Sequence, residues 1–305
     1  MKIDAMKDTQ STKPSPRQLS SLAAAVALSL AGTSVAFAAG PWSLSANIGA
    51  VSNYMWRGVT QTGDGAAVQG GVDAAHESGF SAGTWASNID WDDGSQSVTG
   101  FVQINPNTGA PINTPNGWLV QGTTSGSNAD SPTYELDFYA GFDFALPDEN
   151  ASLGINTIYY AYPDSKDEVD FWEIGISGGY DFGAAAVSAG IQYTAWGGKA
   201  NKDALYYDGD FYYNAALDIP LPQEFSFGVF GGYYDFKHDE EVYREAGRLR
   251  TASYDYWHWG ASISKEAGDF GTFSLTYEQV DGESTNAGDL WDQDAKVWVG
   301  WNKEF

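Results

Sequence analysis

Carboxylate side chains recur at every second residue in one stretch of this sequence. In TYELDFYAGFDFAL, residues 133–146, Glu135, Asp137 and Asp143 occupy odd-numbered positions, and the even-numbered positions are mostly apolar. We call each such set of alternate positions a parity. Carboxylates arranged in rings around an aqueous passage attract cations and repel anions. The spacing therefore predicts the electrostatic selection of ions.

The polar parity of the other alternating segments extends this set of pore-lining candidates. The full set is Arg57, Asp73, Asp90, Glu135, Asp137, Asp143, Glu173, Asp210, Asp218 and Glu278. Arg57 is the one base in it. Arg57 either faces acids across the passage as a constriction residue or forms a structural salt bridge that stabilises the first hairpin. We favour the salt bridge.

Covalent chemistry would require a nucleophile within reach of a base. The chain has three His. His258 has inward parity, but the nearby Asp255 has the opposite parity, and Ser87 and Ser188 have no evident base. No catalytic motif is present, so we predict no catalytic site, no cofactor and no metal site.

The net charge excludes nucleic acid as a partner. The whole chain has 15 basic and 40 acidic residues, and residues 1–38 contain four of the former and two of the latter. Without that segment, 11 basic and 38 acidic residues remain, a formal charge of −27. A phosphate-binding surface requires the opposite sign.

Residues 1–38 are typical of a secretory signal peptide. Four basic residues precede the apolar run LAAAVALSLAG, and Ala36-Phe37-Ala38 is a small-x-small cleavage signal. The run is shorter than the ~20 residues that a membrane-spanning helix needs. We therefore predict export from the cytoplasm and a mature domain over residues 39–305.

Twelve segments of the mature chain alternate between apolar and polar residues over about the length of a membrane strand. They are 42–57, 66–78, 80–91, 133–146, 151–162, 170–182, 185–196, 205–219, 224–236, 252–264, 270–280 and 295–305. Their connections alternate strictly between short, such as 183–184, and long, such as 163–169. The longest, 92–132, has apolar patches that either form an external hairpin or fold into the lumen.

This loop asymmetry predicts an all-β fold, a transmembrane antiparallel up-and-down barrel with short periplasmic turns and long extracellular loops. The aromatic residues agree with it. Tyr54, Trp56 and Trp172 fall near the long-loop ends of their strands, and Phe144 and Phe182 near the short turns. Aromatic rings at both rims form the interfacial belts of membrane barrels.

The segments SNYMWRGVTQT, AVQGGVDAAHESG and AGTWASN, all within residues 52–91, carry a family likeness. This region resembles the N-terminal signature of the TorF family of porins, a proteobacterial outer-membrane family. ELDFYAGF and IYYAYP extend the resemblance, which covers most of residues 44–305. It implies a pore in the outer membrane of a Gram-negative bacterium, and it brings neither a substrate nor catalytic residues. The 92–132 insert and Lys303 depart from the family pattern.

The last segment, AKVWVGWNKEF, is similar to the terminal strand that the outer-membrane assembly machinery reads. Its signal residues would be Val297, Val299, Trp301 and Phe305. A strand edge offers unpaired backbone groups to a partner sheet. The expected partners are therefore this machinery, the lipid bilayer and small solutes or cations. Acidic loops could also be bridged to lipopolysaccharide by divalent cations, although we favour a solvated charge face.

These observations predict a narrow, acid-lined, cation-preferring porin. Twelve strands lie between eight-stranded barrels, which side chains fill, and sixteen-stranded barrels with open channels. Two alternatives remain open: a barrel hydrolase of the phospholipase type, and a non-conducting structural or adhesion barrel plugged by residues 92–132.

Overall fold

The computed structural model describes residues 37–91, 97–104, 118–125, 131–165, 169–197, 208–237, 240–245, 248–285, 288–289 and 291–305. Nearly all of the predicted signal peptide lies outside these ranges, so the signal peptide stays a prediction. In the part of the chain that the structure describes, no helix has the length and apolar character needed to cross a bilayer.

Twelve antiparallel strands form one closed sheet, as the alternating segments predict. They are β1 (Trp42–Val51), β2 (Ala67–His76), β3 (Phe80–Asn88), β4 (Tyr134–Asp143), β5 (Ala151–Ala161), β6 (Phe171–Asp181), β7 (Ala186–Trp196), β8 (Phe211–Leu221), β9 (Phe225–Asp235), β10 (Tyr256–Glu266), β11 (Thr272–Gly282) and β12 (Lys296–Glu304). Each strand pairs with the next along the chain, and β1 also pairs with β12. The prediction of a twelve-stranded up-and-down barrel is confirmed.

The barrel closes along only part of β1. Residues Asn47–Val51 pair with Gly300–Glu304 of β12, and the N–H of Ala46 donates to the carbonyl of Phe305 at 3.1 Å. The remaining part of that edge, Trp42–Leu44, pairs with the short strand Phe37–Ala39. A three-residue strand thus covers backbone groups that β12 does not reach.

Short turns join the strands at one end of the barrel and long connections join them at the other. We call these the short-turn end and the long-loop end. One short connection contains the 3₁₀ turn Gly268–Phe270. Described parts of the long connections form separate hairpins: Met55–Trp56 with Val59–Thr60, Ser97–Ile104 with Trp118–Ser125, Glu240–Glu245 with Arg248–Ser253, and Ser284–Thr285 with Gly288–Asp289.

The two apolar patches of the 92–132 connection therefore pair with each other. Ile104 is opposite Trp118 in their two-stranded sheet. The rest of the connection lies outside the described residues, so its position relative to the lumen stays a prediction.

The outward parity is apolar all around the wall. Phe138 and Ile174 are 48% and 42% exposed, and Val68 and Leu275 are also exposed. Alternation puts these side chains on one face of the sheet. A closed barrel with such an apolar exterior is suited to lipid contact.

The first predicted strand is too long. β1 ends at Val51, and Tyr54 and Trp56, which we expected in the outer aromatic belt, are each 7% exposed inside the barrel. The chain folds inward after β1 and reverses at Arg57 and Gly58, whose φ angles of 50° and 88° lie in the left-handed region. Both rings pack there within the cluster of buried aromatic side chains.

The inward parity of β3 is also opposite to the sequence prediction, which placed Asp90 on the bore. Trp85 faces inward because its ring contacts Tyr54, with centroids 5.4 Å apart. Asn88 then faces outward and bonds the backbone of Val68 at 2.8 Å. Asp90 follows the end of the strand and is exposed, so it is not a wall residue of the pore.

Candidate functional site

The connection between β1 and β2 enters the barrel interior. We call residues 52–65 the inserted loop. Its backbone closes on itself, since the N–H of Gln61 donates to the carbonyl of Tyr54 at 2.7 Å. A Cβ atom on Gly58 would lie 2.6 Å from the Cβ of His258 and 2.7 Å from Val280. The loop therefore presses its tip against the wall formed by β10 and β11.

Arg57 carries the charge of this tip. Its Nη1 and Nη2 donate to the two carboxylate oxygens of Glu173 on β6 at 2.7 and 2.6 Å. The guanidinium also lies over the rings of Tyr212 and Trp56 at 4.1 and 4.2 Å and near Tyr234 at 5.3 Å. Such a planar group suits both bidentate pairing and ring stacking.

The ion pair is removed from solvent, with Arg57 7% and Glu173 1% exposed. Burial disfavours the charge on Arg57, but the nearby Glu173 carboxylate outweighs it and keeps the pKa of Arg57 well above its ordinary value. The pair joins the inserted loop to β6 rather than holding the first hairpin together. Arg57 therefore forms a buried salt bridge, but with β6 and not within the first hairpin, and its role as a constriction residue stays a prediction.

Two further carboxylates lie in the same buried region, Glu135 and Asp137 on β4, at 2% and 5% exposure. The hydroxyl of Tyr54 donates to Oε1 of Glu135 at 2.9 Å. Burial, followed by the charges of Glu135 and Asp137, raises the pKa of Tyr54 well above its ordinary value. Tyr54 therefore stays neutral and remains a hydrogen-bond donor to Glu135.

His258 belongs to a separate chain of hydrogen bonds. Its Nε2 lies 2.7 Å from the hydroxyl of Tyr212 and its Nδ1 lies 3.1 Å from Oε1 of Glu278. No described contact brings a serine hydroxyl to this imidazole. The Ser–His contact that is described, between Ser78 and His76 at 2.9 Å, closes the turn between β2 and β3.

The other predicted pore residues lie apart from this region. Asp210 precedes β8 and accepts the N–H of Lys237 at 2.9 Å. Asp73 accepts the hydroxyl of Tyr139 at 2.5 Å. Asp143 and Asp218 share the inward parity nearer the short-turn end, and both are accessible to solvent.

The two ends of the bore differ in what fills them. The long-loop half holds the inserted loop and a cluster of buried rings: Tyr54, Trp56, Tyr160, Phe171, Tyr212, Tyr234, Phe236 and Tyr256. Most inward positions of the short-turn half are small and partly accessible, although Ser264 and Thr272 are buried. The accessible ones are Ser81, Ser152, Ser177, Gly179, Ser188, Ser226 and Ser274. The bore is therefore closed by side chains at one level and roomier at the other.

Sequence reasoning missed the tyrosines that surround Arg57. Tyr160, Tyr212 and Tyr234 each belong to a doubled Tyr in the sequence. A pair of adjacent Tyr residues in a strand places one ring on each face. That doubling was the available signal that large rings occupy the interior.

The predicted assembly-signal residues occupy the outward face of β12 and its end. Val297, Val299 and Phe305 are 65%, 53% and 47% exposed. Trp301 donates its indole N–H to the carbonyl of Phe270 at 2.7 Å. Their recognition by assembly machinery stays a prediction.

Residues 35–305 match the model of a family described as "Bacterial protein of unknown function (Gcw_chp)". No curated protein matches the chain. Among solved structures, the fold is similar to a KdgM porin with 5% identity and a TM-score of 0.47, covering 86% of this chain and 98% of that one. It is also similar to the COG4313 outer membrane channel from Pseudomonas putida F1 with 10% identity and a TM-score of 0.47, covering 88% and 97%.

Proposed function

This chain belongs to the Gcw_chp family of bacterial proteins, and from its own geometry we propose that it is a narrow outer-membrane channel for ions or small polar solutes that prefers cations. The resemblance of residues 52–91 to the TorF porins supports the same proposal. The predicted signal peptide would deliver the chain to the periplasm, from which barrels enter the outer membrane.

The observation that carries the proposal is the contrast between the two faces of a closed wall. Apolar residues such as Phe138 and Ile174 are exposed outside, and the bore side carries Glu135, Asp137 and Glu173. A sheet without free edges satisfies its backbone groups within lipid. Carboxylates concentrated in the bore favour cations over anions.

The inserted loop makes the passage narrow. It occupies the long-loop half of the bore, where Arg57 is the cation that the carboxylates already hold. Current then depends on displacement of this loop or on the space that it leaves. The proposal therefore predicts small, intermittent conductance rather than the steady flow of a wide porin.

Planar-bilayer recording of the refolded full chain tests this function. We expect cation-selective openings in a salt gradient, and Asp143→Asn should move the reversal potential toward zero because it removes an acid from the solvent-accessible part of the bore. Glu149→Gln is the matched control, since Glu149 lies exposed in the turn between β4 and β5. Anion selectivity, or equal shifts in both variants, would contradict the acid-lined channel.

The packed long-loop half also favours a second candidate, a non-conducting structural barrel. Its buried rings and ion pair resemble a protein core more than an open passage. The same recordings separate the two candidates. Bilayers that stay silent although the barrel has demonstrably inserted would support the structural role.

A further inference from the structure

The surroundings of Arg57 have the chemistry of a binding site for a guanidinium group. Glu173 offers two oxygens to the two Nη atoms, and the Tyr160 hydroxyl holds one of these oxygens at 3.3 Å. Tyr212 and Tyr234 present ring faces to the cation. These four wall residues come from β5, β6, β8 and β9, so they remain in place whatever the inserted loop does.

Closure of the bore alone does not require such an arrangement. A buried ion pair contributes little more stability than well-packed apolar residues of the same size. Arg57 also adopts a φ of 50°, in the left-handed region that disfavours residues other than glycine. The chain thus accepts backbone strain and desolvation to place a guanidinium at this position.

We propose that the pocket formed by Tyr160, Glu173, Tyr212 and Tyr234 binds the guanidinium group of a permeating solute, and that Arg57 occupies it as a stand-in while the loop is inserted. This inference rests on the proposed channel function. Withdrawal of the loop leaves Glu173 without its counter-ion in a buried setting. A solute that supplies an equivalent cation replaces the lost interaction.

The geometry selects among cations. An ammonium is a compact charge and cannot pair with both carboxylate oxygens through a planar fork. Hard metal ions prefer several oxygen ligands, and two of the four wall residues offer mainly ring faces. A planar, weakly hydrated guanidinium satisfies the carboxylate in its plane and the rings above it.

Arg57→Ala tests the pocket directly, because it removes the stand-in and keeps the wall. Methylguanidinium and methylammonium at the same low concentrations are the probes, with the thermal unfolding temperature and tryptophan fluorescence of the full chain as readouts. We expect methylguanidinium to raise the unfolding temperature of Arg57→Ala by about 3 °C or more. Methylammonium should need a roughly tenfold higher concentration for the same shift.

Adding Glu173→Gln to Arg57→Ala should abolish this preference, whereas Arg57→Ala with Glu224→Gln, which alters an exposed acid, should keep it. Equal responses to both probes, or a preference that persists without Glu173, would overturn the proposal.

If Arg57→Ala does not fold, the current through the wild-type protein tests the pocket instead. Block by methylguanidinium at lower concentrations than methylammonium supports the pocket, and equal block refutes it. Normal potassium current without this preference would refute the pocket alone, and absent current would refute the channel.

Discussion

In the long-loop half of the bore the inward positions hold large rings and buried charges, whereas in the short-turn half they hold mostly small side chains together with the accessible Asp143 and Asp218. Tyr212 and Glu173 belong to the first half, and Ser177 and Ser188 to the second. The same strands supply both halves with the same alternation. The pattern that builds the wall therefore does not determine the size of the side chains that fill the bore.

The largest expected difference between the halves concerns buried charge. Glu173→Ala leaves Arg57 inside the barrel without a counter-ion, and we expect it to lower the free energy of unfolding by about 3–5 kcal/mol. Glu224→Ala is the control at the short-turn end, because it breaks the exposed pair with Lys265 and should cost below about 1 kcal/mol. Denaturant titration of the barrel in detergent measures both, and similar losses would remove the distinction.

Close packing gives a second difference. Gly58→Ala combines a positive φ with a Cβ 2.6 Å from that of His258, and we expect a loss of roughly 2–4 kcal/mol. Gly141→Ala on β4 places its Cβ 3.3 Å from the carbonyl oxygen of Ile155, a tight contact that a small shift relieves, so it should cost less than Gly58→Ala. Thermal unfolding of the two variants compares them, and a Gly58→Ala protein as stable as Gly141→Ala would show that the loop tip is loosely held.

The smallest of these differences concerns one hydrogen bond. Tyr54→Phe removes the donor to Glu135, and because the acceptor is buried and acidic we expect a loss of about 1.5–3 kcal/mol. Tyr134→Phe changes an exposed hydroxyl on the same strand as Glu135 and should stay within about 0.5 kcal/mol. The same denaturant titrations measure this pair, and an unaffected Tyr54→Phe would place that hydroxyl in contact with water.

The barrel wall was predictable because period-two alternation and loop length are local in sequence. Phe138 and Ile174 face outward as that pattern requires, and Trp298, which interrupts the polar parity of β12, is buried inside. The strand ends were less predictable. Alternation continues past Val51 into residues that have left the sheet, so Tyr54 and Trp56 were assigned to the lipid face.

The candidate site was predictable in its residue types and not in its pairings. Arg57 and Glu173 stand out as polar residues of inward parity, but 116 positions separate them. Nothing local specifies that a connection turns inward and brings them together. For Asp90 the prediction from parity was wrong. Trp85 contacts Tyr54 inside the barrel, so β3 has the opposite parity to the one predicted.

The incomplete pairing between β1 and β12 makes the wall uneven around its circumference. Elsewhere neighbouring strands pair over seven residues or more, but here only five residues of β12 pair with β1, and Phe37–Ala39 covers the remainder of that edge. Local opening begins where the fewest backbone bonds must break together. We therefore expect the barrel to open first between β1 and β12. Amide hydrogens of Trp42–Leu44 should exchange with solvent before those of any other wall segment.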